Sequence, residues 1–385
     1  MRYKRFIVTV LAIILTLAAL SINATCVDDI AYQADLSLNC VSAVLMEAET
    51  GAVLYEQNPD QAMPPASVTK IMTLLLTVEA VESGSLKLDD MLTCSANAAS
   101  MGGSQVYLEE GEQMSVEELI KCVVICSAND AAVVLAEAVA GSEDAFVAKM
   151  NSRAQELGMA NTLFENTNGL DDTAVNHVCS ARDIAIMSRE LIRHEKILQY
   201  SSIWMDSIRG GTFGLTNTNR LVRFYPGATG LKTGSTSKAK FCMSATAKRN
   251  GMHLICVIMG AETRDIRNAA ATQLLNWGFA NYSLYTDPIA ESGNIDVLGG
   301  VEDYIMAQKQ KFVCVVPKGA ENKIVKSISV PERLAAPIGG GDVVGSVKYS
   351  LEDQILGETD VIAVNQVKKI GFGQVLLRIF SLFMI

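Results

Sequence analysis

The sequence is poor in metal-binding patterns. Its 385 residues include three histidines, His177, His194 and His253, and nine scattered cysteines without any Cys-x-x-Cys pair. Zinc sites combine several Cys or His ligands at short spacings. We therefore expect no metal centre and no other cofactor. Because the cysteines are odd in number, no disulfide framework can be read, and Cys122 and Cys126 are expected to be small buried residues.

Basic charge is also scarce. Lys and Arg total 32 against 42 Asp and Glu, and the net charge is -10. Binding to nucleic acid requires a basic surface, which this balance does not supply, so we expect no nucleic-acid partner. With 49% hydrophobic and 19% charged residues, the chain is globular and can form one large core and a second, smaller domain.

Long apolar runs are confined to the two ends. Residues 1–24 combine a basic start, an apolar stretch over 6–20 and a small residue at Ala24, the pattern of a secretory signal peptide. The run is short for a bilayer span, but an uncleaved anchor remains an alternative, and Cys26 leaves a lipoprotein as another. We expect export across the cytoplasmic membrane and action on its outer, cell-wall side.

Residues 368–385 form the second apolar segment. They begin with two lysines, and a helix there would place its polar side chains on one stripe. This pattern predicts an amphipathic helix that lies in a membrane surface. A helix packed back onto its own protein is the alternative.

Between the ends, the first part of the chain predicts an α+β domain over residues 37–282. Residues 40–58 have the pattern of a β-hairpin and 67–82 that of a buried helix. After an Ala-, Leu- and Met-rich helical middle, two strands are expected over 230–247 and 253–260 and a closing helix follows. Helices packed on an antiparallel sheet fit this order.

Composition changes near residue 285. Short β-branched runs separated by Gly, Pro, Asn and Asp predict a small all-β domain over 285–367. These runs are 312–316, 324–330 and 343–349.

Ser67-Val-Thr-Lys70 is the first candidate for chemistry. Residues three apart lie on one face of a helix, so the hydroxyl and the amine can meet. A lysine acts as a base when burial or a nearby cation keeps it neutral. Alone the pattern is weak, because a serine at a helix start is more often an N-cap.

Two later motifs change that assessment. Ser127-Ala-Asn129 lies between apolar segments, and Lys232-Thr-Gly234 lies on an expected strand. Ser-x-x-Lys, Ser-x-Asn and Lys-Thr-Gly in this order are the set of penicillin-binding proteins and serine β-lactamases.

Acyl transfer assigns a role to each motif. Ser67 is the candidate nucleophile and Lys70 its base, and Ser127 relays a proton to the leaving amine. Asn129 holds the substrate amide and Lys232 supplies positive potential.

The remaining candidates bind the substrate. Thr233 offers a hydroxyl to a substrate carboxylate, Gly234 leaves room for a substrate strand, and the backbone N–H groups of Ser67 and Ser235 stabilise the oxyanion. Thr236, at the end of this strand segment, is a further candidate for substrate binding. Arg220 is a further candidate for the carboxylate, with a surface arginine as the alternative.

The chain resembles the low-molecular-mass penicillin-binding proteins that are serine-type D-alanyl-D-alanine carboxypeptidases, the S11 peptidase family. The resemblance extends from Cys40 to the C-terminus, and Ser235 and the segment 239–241 depart from the family pattern. It includes, beyond the motifs, residues 50–58, 65–73, 164–170, 180–183 and 217–221. It implies a penicillin-binding/β-lactamase-like transpeptidase domain, peptidoglycan stems ending in D-Ala-D-Ala as substrates, β-lactams as covalent inhibitors and a hydrolase that forms an acyl-Ser67 intermediate.

Two other functions remain open. A serine β-lactamase would need a deacylating glutamate, and Glu165 lies at a suitable distance from Ser127, although its surrounding sequence fits the carboxypeptidase family. The long chain after Lys232 also argues against a β-lactamase. A catalytically inert cell-wall-binding scaffold would have lost one of the motifs, and all three are present.

Overall fold

The computed structural model describes residues 36–171 and 174–382. The expected signal peptide, 1–24, lies outside the described residues. Two compact units are present, one containing the described residues up to 284 together with 315–319, and the other containing 285–314 and the residues from 320 onwards.

The first unit is built from nine strands and nine α-helices in the described part of the chain. The strands are β1 Ser42–Glu47, β2 Val53–Gln57, β3 Met91–Thr93, β4 Gln113–Ser115, β5 Met205–Ile208, β6 Phe213–Thr216, β7 Ala228–Thr236, β8 Lys240–Arg249 and β9 Met252–Ala261. The helices are α1 Lys70–Glu82, α2 Ala96–Ala99, α3 Val116–Lys121, α4 Asn129–Ala140, α5 Glu143–Glu156, α6 Ala181–Arg193, α7 Lys196–Ser201, α8 Leu221–Phe224 and α9 Arg264–Asn281. Short 3-10 turns occupy Ala66–Thr69 and Arg209–Gly211, and a π-helical turn occupies Cys122–Cys126.

A five-stranded antiparallel sheet separates two hydrophobic cores. Its strand order is β2-β1-β9-β8-β7, which leaves β7 at an edge. Alternate residues of a strand face opposite sides, so Val44 packs in the core with α1 and α4, whereas Leu45 packs in the core with α9. The predicted α+β class, with helices on an antiparallel sheet, is confirmed.

Two predicted boundaries were wrong in detail. Three strands, not two, cover the region from Ala228 to Ala261, because the turn between β7 and β8 contains no Gly or Pro to mark it. Instead, Thr236 Oγ1 accepts a hydrogen bond from Ala239 N at 3.0 Å and closes that turn. The first long helix begins at Lys70 rather than at Ser67, because the preceding residues form a tighter 3-10 turn.

The second unit contains the strands β11 Ala290–Leu298, β12 Tyr304–Lys309, β14 Ile324–Ser329, β15 Arg333–Ala335, β16 Val343–Leu351 and β17 Gln354–Ala363 and the helix α10 Phe372–Leu382. Two further strands, β10 Tyr282–Asp287 and β13 Phe312–Pro317, include residues of both units. The six strands of the second unit form one sheet in the order β14-β16-β17-β12-β11-β15. The predicted β-rich domain is confirmed. Several strands were missed because β11 and β17 carry Gly and acidic residues on exposed positions.

Buried Tyr349 organises this second unit. Its ring stacks on Phe312 with centroids 3.8 Å apart, and its hydroxyl donates to Asp287 Oδ2 at 2.7 Å. Lys309 and Lys326 pair with the same carboxylate. Burial raises the pKa of Asp287, but the hydrogen bonds from Tyr349, Lys326 and Lys309 outweigh it and lower this pKa to about 2.

Among the described residues, no helix is long and apolar enough to span a bilayer.

Candidate active site

Ser67 lies in the 3-10 turn directly before α1. Its hydroxyl is not a helix cap, since neither the turn nor α1 has a side-chain cap hydrogen bond. Instead, Ser67 Oγ accepts a hydrogen bond from Lys70 Nζ at 2.8 Å. The predicted Ser-Lys pair is therefore in contact.

Lys70 is completely buried at the start of α1. Besides Ser67, its Nζ donates to Asn129 Oδ1 at 2.6 Å and to the backbone oxygen of Asn168 at 2.8 Å. Burial, and secondly the charge of Lys232, hold the pKa of Lys70 well below its usual value. A neutral amine is thus accessible next to the Ser67 hydroxyl.

Lys232 and Ser127 form a second pair in the same wall of the site. Lys232 is also completely buried, and its Nζ donates to Ser127 Oγ and to the backbone oxygen of Thr233, both at 2.8 Å. Burial, assisted by the charge of Arg267, lowers the pKa of Lys232 to about 7. Ser127 has a left-handed backbone, φ 67°, where the π-helical turn ends, an uncommon conformation for a residue other than glycine.

Asn129 is held from both ends of its amide at the start of α4. Its Oδ1 accepts from Lys70, and its Nδ2 donates to the backbone oxygen of Gly102 at 2.6 Å. Its backbone N–H donates to Ser104 O at 2.7 Å. These bonds fix the amide beside Lys70.

Gly234 on β7 faces the turn that holds Ser67. A Cβ atom at this position would lie 2.8 Å from Ser67 N and 2.9 Å from Pro65 O. The missing side chain was expected to leave room for a substrate strand. In the structure, it allows the backbone of the turn that holds Ser67 to approach β7. Next to it, Thr233 Oγ1 donates to Thr218 Oγ1 at 2.7 Å.

The loop 166–170 contacts the turn that holds Ser67 on the side away from β7. Gly169 has φ +84°, and a Cβ atom there would lie 1.9 Å from the backbone oxygen of Ala66. The same loop supplies the Asn168 oxygen to Lys70, and the Thr167 oxygen accepts from Thr73 Oγ1 at 2.6 Å. The loop thereby fixes both Lys70 and the turn that holds Ser67.

A cleft of about 630 Å³ opens onto these groups. It is lined by Ser67, Ser104, Ser127, Trp204, Thr216, Asn217, Thr218, Arg220, Phe224, Thr233, Gly234, Ser235, Arg264 and Arg267. Lys70, Asn129 and Lys232 lie buried behind this lining. Thr236 does not line the cleft, since its hydroxyl serves the turn after β7.

Sequence reasoning missed several residues of the cleft. Trp204 and Phe224 come from short segments without a recognisable chemical motif. Thr218 lies in the family-like segment 217–221 but was not singled out there. Arg264 and Arg267 were included only in an expected helix, although their spacing of three residues places both on one face of it.

Glu165, the candidate base of a β-lactamase, is engaged elsewhere. Its Oε2 accepts hydrogen bonds from the backbone N–H groups of Val175 and Asn176, at 2.7 and 3.0 Å. A carboxylate held in this way stabilises its own loop.

One group of potential metal ligands occurs among the described residues. It contains Glu79, Glu190 and His194. Arg153 NH2 pairs with Glu79 at 2.7 Å and with Glu190 at 3.1 Å, so a guanidinium already neutralises these carboxylates.

Eight cysteines are free in the described part of the chain, and Cys126 is only partly buried.

Residues 29–263 match the family described as D-alanyl-D-alanine carboxypeptidase, and residues 287–369 match the penicillin-binding protein 5 C-terminal domain. The chain belongs to the D-alanyl-D-alanine carboxypeptidase family. It is 41% identical over 353 residues to the D-alanyl-D-alanine carboxypeptidase DacF of Bacillus subtilis, covering 89% of this chain and 90% of that protein. The predicted S11 resemblance and its hydrolase class are confirmed.

Solved structures agree with this assignment. Penicillin-binding protein 5 from Haemophilus influenzae superposes with a TM-score of 0.77 at 32% identity, covering 86% of this chain and 98% of that one. The ampicillin-bound form of penicillin-binding protein D2 from Listeria monocytogenes gives 0.59 at 33% identity, covering 64% of this chain and 100% of that one.

The contact between Gly169 and Ala66 gives a testable prediction for this carboxypeptidase-family domain. In Gly169→Ala, the new methyl group collides with Ala66 O, so we expect a loss of about 3 kcal/mol in the free energy of unfolding. Denaturant unfolding followed by tryptophan fluorescence measures it, since both tryptophans, Trp204 and Trp277, lie in this unit.

Gly141→Ala is the matched control. Gly141 has the same φ of +84°, but no atom lies within 4 Å of the position that the new methyl group would take, so only the backbone penalty of about 1 kcal/mol is expected. Equal losses in the two variants would show that the contact with Ala66 contributes nothing.

Proposed function

We propose that the protein is a serine D,D-carboxypeptidase that removes the terminal D-alanine from peptidoglycan pentapeptide stems through an acyl-Ser67 intermediate. The observation that carries this proposal is the pair of buried lysines, each within 2.8 Å of a serine hydroxyl beside one cleft. Family membership supports the substrate class, and the ampicillin-bound relative supports β-lactams as covalent inhibitors.

Acylation begins with Lys70 in its neutral form. A neutral amine has two N–H groups and one lone pair, and the oxygens of Asn129 and Asn168 accept the two N–H groups. The lone pair is then left for the Ser67 hydroxyl, 2.8 Å away, so Lys70 can take its proton as Oγ attacks the carbonyl carbon.

The leaving amine requires a proton when the C–N bond breaks. Ser127 lines the cleft, and its hydroxyl accepts a hydrogen bond from Lys232. In our proposal, the Ser127 hydroxyl donates its proton to the leaving nitrogen and takes up the proton that Lys70 removed from Ser67, which returns Lys70 to its neutral form. A water molecule then hydrolyses the acyl-Ser67 ester and frees the shortened stem.

Backbone and hydroxyl groups of the cleft would bind the rest of the substrate. The N–H groups of Ser67 and Ser235 are proposed to stabilise the oxyanion, which is possible because Gly234 lets β7 approach the turn that holds Ser67. The hydroxyl of Thr233 and the positive charge of Lys232 attract the terminal carboxylate. Arg220 lines the same cleft and adds a further positive charge.

The other functions have less support. A β-lactamase needs a base to deacylate its serine ester, and the Glu165 carboxylate is bonded to backbone N–H groups of its own loop. An inert scaffold would not need the buried ammonium groups of Lys70 and Lys232, whose desolvation is unfavourable.

We further propose how the chain is organised in the cell. Residues 1–24 act as a signal peptide, 37–282 form the peptidase domain, 285–367 the β-rich domain and 368–385 a membrane-surface anchor. The exposed apolar side chains of α10, such as Leu377 and Phe380, support the anchor. On the polar side of α10, Arg378 NH1 pairs with Asp303 at 2.8 Å.

The roles of Ser67 and Lys70 predict the behaviour of two variants. Ser67→Ala should lose covalent labelling by a fluorescent penicillin, and Lys70→Ala should slow it by about 10³-fold or more, because the base is absent. Both should unfold like the wild type within about 2 kcal/mol. Wild-type labelling rates in Lys70→Ala would remove Lys70 from its role, and an unlabelled wild type would favour the scaffold.

The lowered pKa of Lys232 predicts the pH dependence of kcat/KM. Activity should rise with pH as Lys70 becomes neutral, and should fall as Lys232 loses its charge above its pKa of about 7. In Lys232→Arg the guanidinium stays charged, so the descending limb should move to higher pH even if the maximum is lower. A descending limb that stays in place would assign it to another group.

Deletion of residues 370–385 tests the anchor. The chain from residue 25 onwards should bind anionic phospholipid vesicles, and the truncated chain should remain in solution in a flotation assay. The double variant Leu377→Ser/Phe380→Ser should weaken binding by more than about 10-fold, because two exposed apolar side chains are lost. Gln374→Ser on the polar stripe is the control. Vesicle binding that survives the deletion would refute an anchor in this segment.

A further inference from the structure

Three arginines that line the cleft lie close to one another. Arg220 precedes α8, and Arg264 and Arg267 lie in the first turn of α9. Arg267 is only 3% exposed, and its guanidinium contacts neutral groups, the backbone oxygen of Cys242 at 3.4 Å and Asn268 Oδ1 at 3.0 Å. A buried cation in the wall of the cleft is therefore left without a countercharge.

The absence of acidic partners extends to the whole cleft. Among the described residues that line it, none is Asp or Glu, and neither Arg220 nor Arg264 forms an ion pair with any described residue. Burial, and then the charges of Arg264 and Arg220, lower the pKa of Arg267 to about 10. The three guanidinium groups are close enough to repel one another in a chain whose net charge is -10.

One carboxylate does not account for this charge. Under the proposed function, the terminal carboxylate of the substrate lies near Thr233, with Lys232 behind it. Positive charge therefore remains in the cleft after the terminal carboxylate of the substrate is bound.

We propose that the arginine-lined part of the cleft accepts a leaving D-amino acid whose side chain carries a second carboxylate, and that Arg264 binds that carboxylate. The inference rests on the proposed carboxypeptidase function and specifies its substrate. The chemistry is unchanged: the Ser67 ester forms, the C–N bond breaks, the dicarboxylic amino acid leaves with its amine protonated, and water hydrolyses the ester.

Arg264 is assigned this role because its guanidinium is available. Arg267 is held by Cys242 and Asn268, whereas Arg264 is exposed and lines the cleft. A guanidinium can bind a carboxylate through two parallel hydrogen bonds, which a single ammonium cannot do.

Three peptides test the inference on the full chain: diacetyl-Lys-D-Ala-D-Ala, the same peptide ending in D-Glu, and the same peptide ending in D-Gln. D-Gln has the size of D-Glu without the charge. We expect kcat/KM for D-Glu to exceed that for D-Gln by about 10-fold at low salt, and the ratio to shrink as the ionic strength rises from about 0.05 to about 0.5 M.

Variants of Arg264 identify the residue responsible. Arg264→Gln should lower kcat/KM for D-Glu by about 5- to 10-fold and change the other two substrates by less than about 2-fold. Arg264→Lys should retain part of the preference, since it keeps the charge. Arg193→Gln, which removes an exposed arginine on α6 that does not line the cleft, should change nothing.

The outcomes separate the two proposals. Equal rates for D-Glu and D-Gln in the wild type, or equal losses on all three substrates in Arg264→Gln, would overturn the inference while the carboxypeptidase function stands. No release of D-alanine from the first peptide, together with no labelling of Ser67 by penicillin, would instead overturn the proposed function.

Discussion

Burial of two lysine side chains is the constraint on which the site depends. Lys70 and Lys232 are both fully inaccessible, and an ammonium group without partners in such a place is strongly destabilising. Each Nζ donates hydrogen bonds to several oxygen atoms, which include the hydroxyl groups of Ser67 and Ser127. The same bonds that make the burial tolerable place two hydroxyl groups beside the cleft.

The partners come from segments that are distant in the chain. Asn168 and Gly169 belong to a loop about a hundred residues after Lys70, yet the loop contacts both Lys70 and the turn that holds Ser67. From the other side, the edge strand β7 approaches Ser67 closely enough that only glycine fits at position 234. The sheet and α1 supply the rigid frame, and the loop and strand close it around Ser67.

Sequence patterns predicted the short-range part of this arrangement. The spacing of Ser67 and Lys70 gives their contact directly, and the hairpin 40–58 formed as expected. The patterns could not reveal that Asn168 supplies an oxygen to Lys70, because that contact depends on tertiary packing. They also could not bring Arg264 to the cleft, since an arginine at the start of a surface helix has no distinguishing local signal.

The two buried lysines must hold different charges at the same pH, and their neighbours set the difference. Lys232 keeps its proton up to a pKa of about 7, and its positive charge is one of the causes that lower the pKa of Lys70 further. In the proposed mechanism, the cation that attracts the carboxylate of the substrate thus also favours the neutral form of Lys70. A bound carboxylate would in turn stabilise the charge on Lys232, because opposite charges favour the ionised form. The proposed mechanism therefore links substrate binding and activation of Ser67 through one side chain.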